Sequence, residues 1–326
     1  MEVVTTKKLH LFTGRNHKEL AAQVAAGLGV PVTEASIREF ASGELHCQFS
    51  ESVRGSDVFI LQGHGELDGR SINDAIMEQL IMVDAAKRAS AKRITAVMPF
   101  YGYSRQDRKS EGREPITARL MADMLQAAGA SRLVSLDLHS GQAQGFFQGP
   151  VDHLTAMPVL VDYLKGEDPN LVIVSPDAGR VKVAERYAQH LHADLAIVHK
   201  RRLKGQMNST VAKDVIGEVE GRECVLVDDM IDTAGTICQA AELLREKGAS
   251  SVVAVATHGV FSGPAIDRLK NSVIDKVVVT NSLPIPPEKH FAQLEILSVA
   301  QILANAIQAV FKDTSVSTIF NGENQT

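Results

Sequence analysis

"CVLVDDMIDTAGTI", residues 224–237, decides how this chain is read. An apolar run, Cys224–Val227, meets two adjacent acids, Asp228 and Asp229. Asp232, Thr233, Ala234, Gly235 and Thr236 follow, all but the first small or hydroxylated, and "ICQAAELLREKG" then has helical periodicity. The order is strand, short loop, helix. A small-residue loop entering a helix lets consecutive backbone N–H groups converge on an anion, and the helix dipole adds to the attraction. Thr233, Gly235 and Thr236 suit a monophosphate, with two hydroxyl donors and one position where backbone can approach closely. A carboxylate repels phosphate, so Asp228 and Asp229 must serve another part of the ligand. Vicinal hydroxyls, as on a ribose, match two adjacent acceptors. The competing reading is a plain strand-to-helix turn with solvated acids.

Outward from this stretch, short β-rich runs alternate with longer helical patterns. "KLHLFTG" precedes "HKELAAQVAAGLG", "DVFILQG" precedes "SINDAIMEQLIMVDAAKRAS", and "RITAVMPF", "ITARLMADMLQAAGA" and "RLVSLDLH" follow. After a Pro- and Gly-containing passage around Gly149 to Pro158 the alternation restarts with "NLVIVSPDAG", "RVKVAERYAQHLH" and "DLAIVHK". It continues past the opening stretch through "SVVAVATHGV", a short helix and "KVVVTNSLP". Strands alternating with helices predict an α/β fold with mainly parallel sheets covered by helices on both faces. Two such series predict two similar domains, residues 1–153 and 154–326, with the C-terminal tail free to pack back on the N-terminal one.

The 326 residues suffice for two cores. A net charge of −5 and the absence of a basic block argue against a nucleic-acid partner. The N-terminus reads as no signal peptide, and the longest apolar runs fall far below the ~20 residues of a membrane span. Cys47, Cys224 and Cys238 are scattered and form no CxxC pair, which argues against a disulfide framework or a zinc site. The expectation is a cytoplasmic protein.

In open α/β sheets, ligands bind beyond the carboxyl ends of the strands. The polar residues at those predicted exits are "SRQDRK" after the Pro99 strand, His139, Asp177, Lys200, and the Asp228/Asp229 pair. Arg105, Arg108 and Lys109 follow "YGY", which could stack a base or line a pocket, and arginine favours planar, bidentate contacts to phosphate. A histidine and a carboxylate such as His139 and Asp177 could share one magnesium, which fills its remaining sites with water and phosphate oxygens. Lys200-Arg201-Arg202 leads into the polar "LKGQMNST", which reads either as a solvated basic turn or as a flap carrying positive charge to a transferring phosphoryl group.

The order of the opening stretch resembles the ribose-phosphate loop of the type I phosphoribosyltransferase fold. "MPFYGYSRQDRK" (98–109), "DLHSGQAQGFF" (137–147), "THGVFSGPA" (257–265), "ESVRG" (51–55) and "MEQLIMVDAAKRASAKRITAVMPF" resemble the ribose-phosphate pyrophosphokinase family, and the likeness runs from Leu11 to Phe320. It implies two domains of that fold and transfer of the β,γ-diphosphoryl group of ATP to the 1-hydroxyl of ribose 5-phosphate. It implies Mg2+ on His139 and Asp177, catalytic Lys200 with Arg202 as its partner, and nucleotide contacts from Arg105 and Gln106. A second nucleotide contact is implied at Phe40, Ser42, Gly43 and Glu44, where the family has an acid or amide in place of Ser42. Ribose 5-phosphate falls to Arg202, Asp228, Asp229 and Asp232–Thr236. After "PDAG" the family often continues with another glycine, where this chain has Arg180. The family further implies a homohexamer with phosphate or ADP at a regulatory site, onto which Ser52, Arg54, Ser315, Ser317 and Phe320 map. Two alternatives stay open: a phosphoribosyltransferase, which needs no ATP, and a non-catalytic regulatory member, against which the retained Lys200, Arg202, His139 and Asp177 argue.

Overall fold

A computed structural model describes residues 7–166, 170–201 and 211–320 and divides the chain into two compact units. One unit runs to Thr155 and includes Ser282–Pro284 and the segment from Ser298 on; the other holds Ala156–Asn281 and Ile285–Leu297.

The first unit opens with β1 (Leu9–Thr13), α1 (Lys18–Leu28), β2 (Ala35–Glu39), β3 (Leu45–Phe49) and β4 (Asp57–Leu61). It continues with α2 (Ile72–Arg88), β5 (Arg93–Met98), α3 (Thr117–Ala128), β6 (Arg132–Leu136) and β7 (Val151–Leu154). Five strands form one sheet in the order β1-β4-β5-β6-β7, every pairing parallel. Along β4 every residue is buried, as a parallel strand covered on both faces requires. α2 begins in a capping box: Ser71 Oγ accepts from the Asp74 N–H, and the Asp74 carboxylate accepts from the Ser71 N–H. Its apolar stripe, with Ala75, Ile76, Met82, Val83 and Ala86, is buried.

In the second unit come α4 (Met157–Leu164), β8 (Leu171–Ser175), α5 (Val181–Leu191), β9 (Asp194–Arg201), β10 (Val211–Ile216) and β11 (Glu223–Ile231). α6 (Gly235–Glu246), β12 (Ser251–Gly259), α7 (Ala265–Lys270), β13 (Lys276–Thr280) and β14 (Leu294–Leu297) complete it. Its sheet runs β10-β9-β8-β11-β12-β13-β14, parallel except for the antiparallel β10–β9 pair. The chain then returns to the first unit as α8 (Ala300–Phe311), which packs on α1. The two helices approach closely where α1 has glycine: a Cβ on Gly27 would lie 3.0 Å from Ala304 Cβ. Ser298 Oγ donates to Gln23 Oε1 at 2.7 Å. After α8, Asp313 bonds Lys7 and Arg93, and Arg93 in turn bonds the buried Asp57.

The parallel α/β architecture agrees with the sequence reading, with four differences of detail. The passage around Gly149–Pro158 is no plain connection: it forms edge strand β7 and the start of α4, with Pro158 in the first turn, where its missing N–H costs nothing. β2 and β3 form a separate antiparallel hairpin that the alternation does not reveal. Asp228 and Asp229 lie inside β11, because β11 stays paired with β12 as far as Ile231; on its other side, pairing with β8 stops at Leu226. Lys200 likewise lies within β9, paired with Ala212 across the ladder, and does not follow the strand.

Candidate functional site

Past Leu226, β11 outgrows β8, so the acid pair lies beyond the end of one neighbour while the other still holds the strand straight. The loop Asp232–Ala234 then turns into α6. Ala234, directly ahead of the helix, takes φ +60°, ψ 3°, a left-handed conformation that costs a residue bearing a Cβ about 1–2 kcal/mol. The loop's carbonyls are held from outside: Ile231 O accepts from Val260 and Phe261 N–H, Asp232 O from Ser262 N–H, and Thr233 O from Arg268 Nη1 at 2.9 Å. The N–H groups of a helix's first turn have no partner within the helix, the general feature that suits such an end to an anion. Arg268, on α7, was not anticipated. Its partner is 35 residues away in sequence, and no local pattern marks it.

Asp228 and Asp229 meet Arg180, the residue just ahead of α5. Its Nε lies 3.3 Å from Asp228 Oδ1 and its Nη2 2.7 Å from Asp229 Oδ1. Burial, and then the adjacent Asp229 charge, pushes the Asp228 carboxyl upward from the ordinary range, while Arg180 pulls it down. Asp228 Oδ1 also accepts the Asp229 N–H at 2.8 Å.

Asp177 follows β8 in a tight turn: its Oδ1 accepts the Gly179 N–H at 2.9 Å, and its carbonyl accepts from Ser175 Oγ at 2.6 Å. That orients a half-buried carboxylate, a donor suited to a hard cation. His139, also half-buried, stands three residues past β6 in the other unit. Among the described residues no cluster of three or more His, Cys, Asp or Glu could by itself hold a metal ion. The Asp177 carboxylate by itself suits magnesium, which takes one or two protein carboxylates and completes its shell with water and phosphate oxygens.

Phe40, Ser42, Gly43 and Glu44 share the tip of the β2–β3 hairpin. Phe40 N–H donates to Glu44 O and Gly43 N–H to Phe40 O, both at 2.8 Å, and Gly43 at φ +88° supplies the turn's left-handed position. Ser42 Oγ donates to Glu44 Oε2, and the Phe40 ring is 55% exposed. Arg105 and Gln106 are exposed on the loop between β5 and α3. Gln106 O accepts the Ala118 N–H, and Gln106 Oε1 accepts from Thr117 Oγ1 at 2.6 Å, so this residue also holds the start of α3. Of the two uses read for "YGY", stacking a base or lining a pocket, the first does not hold at Tyr101. That ring is buried in the core, and its hydroxyl donates to Ala118 O at 2.8 Å. Below this loop His64, wholly buried on the segment after β4, accepts the Gly102 N–H at Nδ1 (3.1 Å) and donates from Nε2 to Gln79 Oε1 (2.9 Å).

Lys200 is placed by its backbone in β9; Arg202 and the rest of the expected flap to residue 210 lie outside the described residues. Ser52 and Arg54 are exposed, with the Arg54 N–H directed at Ser52 Oγ. Ser315 and Ser317 are exposed and hydrogen-bonded to each other, whereas Phe320 is buried. No helix among the described residues is long and apolar enough to cross a membrane.

Residues 9–129 match the family described as the N-terminal domain of ribose phosphate pyrophosphokinase, and residues 209–321 match the phosphoribosyl synthetase-associated domain. A ribose-phosphate pyrophosphokinase of Bifidobacterium longum is 56% identical over 97% of this chain and 93% of its own length. One of Mycobacterium leprae is 54% identical, over 97% of each chain. The crystal structure of phosphoribosylpyrophosphate synthetase from Mycobacterium smegmatis superposes with a TM-score of 0.87 at 53% identity, covering 94% of this chain and 100% of that one.

Proposed function

The chain belongs to the ribose-phosphate pyrophosphokinase family, and from that premise we propose how its own residues divide the reaction in which ATP and ribose 5-phosphate give AMP and phosphoribosyl pyrophosphate. The observation that carries the reading is β11 with its loop, which sets an acid pair and a small, hydroxylated turn in sequence ahead of one helix N-terminus. Asp232–Thr236 bind the 5-phosphate through backbone N–H groups and the Thr233 and Thr236 hydroxyls. Asp228 and Asp229 accept from the ring hydroxyls and so orient the sugar. Arg105, Gln106 and the Phe40–Glu44 turn hold the nucleotide.

The anomeric hydroxyl attacks the β-phosphorus, the bond from that phosphorus to the AMP oxygen breaks, and the diphosphoryl group moves as a unit. Little covalent chemistry falls to the protein, so alignment and charge compensation supply the rate. Lys200 and Arg202 neutralise charge that builds on the transferring oxygens. His139 and Asp177 are the residues that would hold Mg2+, whose contribution when bound is to offset the negative charge of the ATP phosphates. We place the enzyme in the cytoplasm as a homo-oligomer, a hexamer, with phosphate or ADP regulating through Ser52, Arg54, Ser315, Ser317 and Phe320.

The test is direct: the purified chain with ATP, Mg2+ and ribose 5-phosphate should release AMP. Release dependent on a nucleobase and phosphoribosyl pyrophosphate, with none from ATP, would replace this reading with a phosphoribosyltransferase.

A further inference from the structure

Two carboxylates side by side, three residues ahead of a loop that binds a phosphate dianion, pose an electrostatic problem. Each repels the other, and both repel the ligand whose hydroxyls they are to receive. Burial sharpens this, since Asp228 and Asp229 are only 20% and 9% exposed. The side chain that answers it comes from another strand exit. Arg180 ends the Asp177–Gly179 turn after β8, next to β11 in the sheet, and is itself only 16% exposed. Its planar fork takes Oδ1 of each acid, at 3.3 and 2.7 Å.

A guanidinium spanning two carboxylates does two things a solvated cation does not. It cancels one of two like charges at the place where an anion must approach. It also fixes both carboxyl planes, because the fork is rigid and bidentate. An ionised carboxylate has about four acceptor positions, so a contact to one oxygen of each acid leaves capacity for hydroxyl donors. We infer that Arg180 is a positioning residue for the sugar: its guanidinium holds Asp228 and Asp229 as an oriented, charge-compensated acceptor pair beside the phosphate loop, and thereby sets the affinity for ribose 5-phosphate. This rests on the reading that the two acids receive the ring hydroxyls. The Arg180 guanidinium contacts both acids, so its removal should act on sugar binding far more than on the nucleotide side.

The experiment is steady-state kinetics on the full-length enzyme for Arg180→Gln, Arg180→Lys, Asp228→Ala and the double variant Arg180→Gln/Asp228→Ala. Arg180→Gln should raise the KM for ribose 5-phosphate by roughly 10-fold, the scale of one charge-assisted hydrogen bond, with the KM for ATP within about twofold. Arg180→Lys should fall between it and the wild type, since an ammonium restores the charge but cannot span both acids. In the Asp228→Ala background the Arg180→Gln change should cost less than it does alone, the sign of two residues acting as one unit. Equal rises for ATP and ribose 5-phosphate, or full additivity in the double variant, overturn the inference. If Arg180→Gln does not fold, Arg180→Lys decides: a selective rise supports the clamp, and an unchanged KM overturns it. An Asp228→Ala enzyme with unaltered ribose 5-phosphate KM would instead overturn the underlying assignment of the acids.

Discussion

The Leu138 backbone N–H donates to Nε2 of His153 at 2.9 Å, so a buried imidazole on β7 holds the turn that presents His139. The turn needs holding. Asp137 sits at φ +33°, outside the comfortable range for a residue with a Cβ, and its N–H is taken by Leu154 O at 2.9 Å. Edge strand β7 therefore positions a candidate metal ligand through one side-chain and one backbone contact.

His153→Phe should leave the Leu138 N–H buried and unsatisfied, costing about 1–3 kcal/mol of stability. The Mg2+ concentration for half-maximal rate should rise with it. Urea unfolding and a magnesium titration check both, and a variant with lowered stability but an unshifted magnesium midpoint would detach His153 from the site.

Asp177→Asn keeps the Gly179 N–H bond to the side-chain oxygen but removes the charge. Its magnesium midpoint should rise by roughly 10-fold or more, as expected when a hard cation loses an anionic ligand. An unchanged midpoint would remove Asp177 from the metal assignment.

Lys200→Ala should lower kcat by roughly 10²-fold, about 2.7 kcal/mol of barrier, while both KM values move much less. That pattern belongs to a cation acting mainly in the transition state. Retained kcat with raised KM would make Lys200 a binding residue.

His64 predicts an acid limb in stability. Burial lowers its pKa from 6.5 to about 4, with the Gln79 hydrogen bond opposing. The unfolded chain therefore takes up this proton at higher pH than the folded one does. The stabilisation is complete above pH 6.5 and is lost as pH falls through the interval to 4, by at most roughly 3 kcal/mol. His64→Gln should flatten the change in urea midpoint between pH 7 and 4.5. An equally steep dependence in the variant would place the proton uptake elsewhere.

The elements legible in the sequence are those whose side chains face a core. Runs such as "DVFIL" and "LVIVS", buried at every residue, identify parallel strands. β2 and β14 are largely half-exposed, and their mixed composition carries no comparable period. The candidate phosphate loop is legible because its chemistry is contiguous, from Asp228 to Thr236. In the sequence Arg180 stands out as a departure from the family pattern, yet its contact with acids 48 and 49 residues further on arises only from the pairing of β8 with β11. Tyr101 shows the converse: an aromatic beside charged residues reads as a ligand platform until packing buries it.

The return of α8 to the first unit sets a timetable for biosynthesis. α1 and the ion-paired trio Lys7, Asp57 and Arg93 receive their last partners from residues after Ser298, about 140 residues downstream of Thr155. At ~5–20 residues per second the ribosome needs on the order of ten seconds to cover that distance. Through that interval the nascent N-terminal unit displays an uncovered α1 face, while the whole second unit is made and can fold before the first is closed. The side of α1 that carries Gln23 and Gly27 is thus left open until α8 is made, and truncation just before α8 would keep it open.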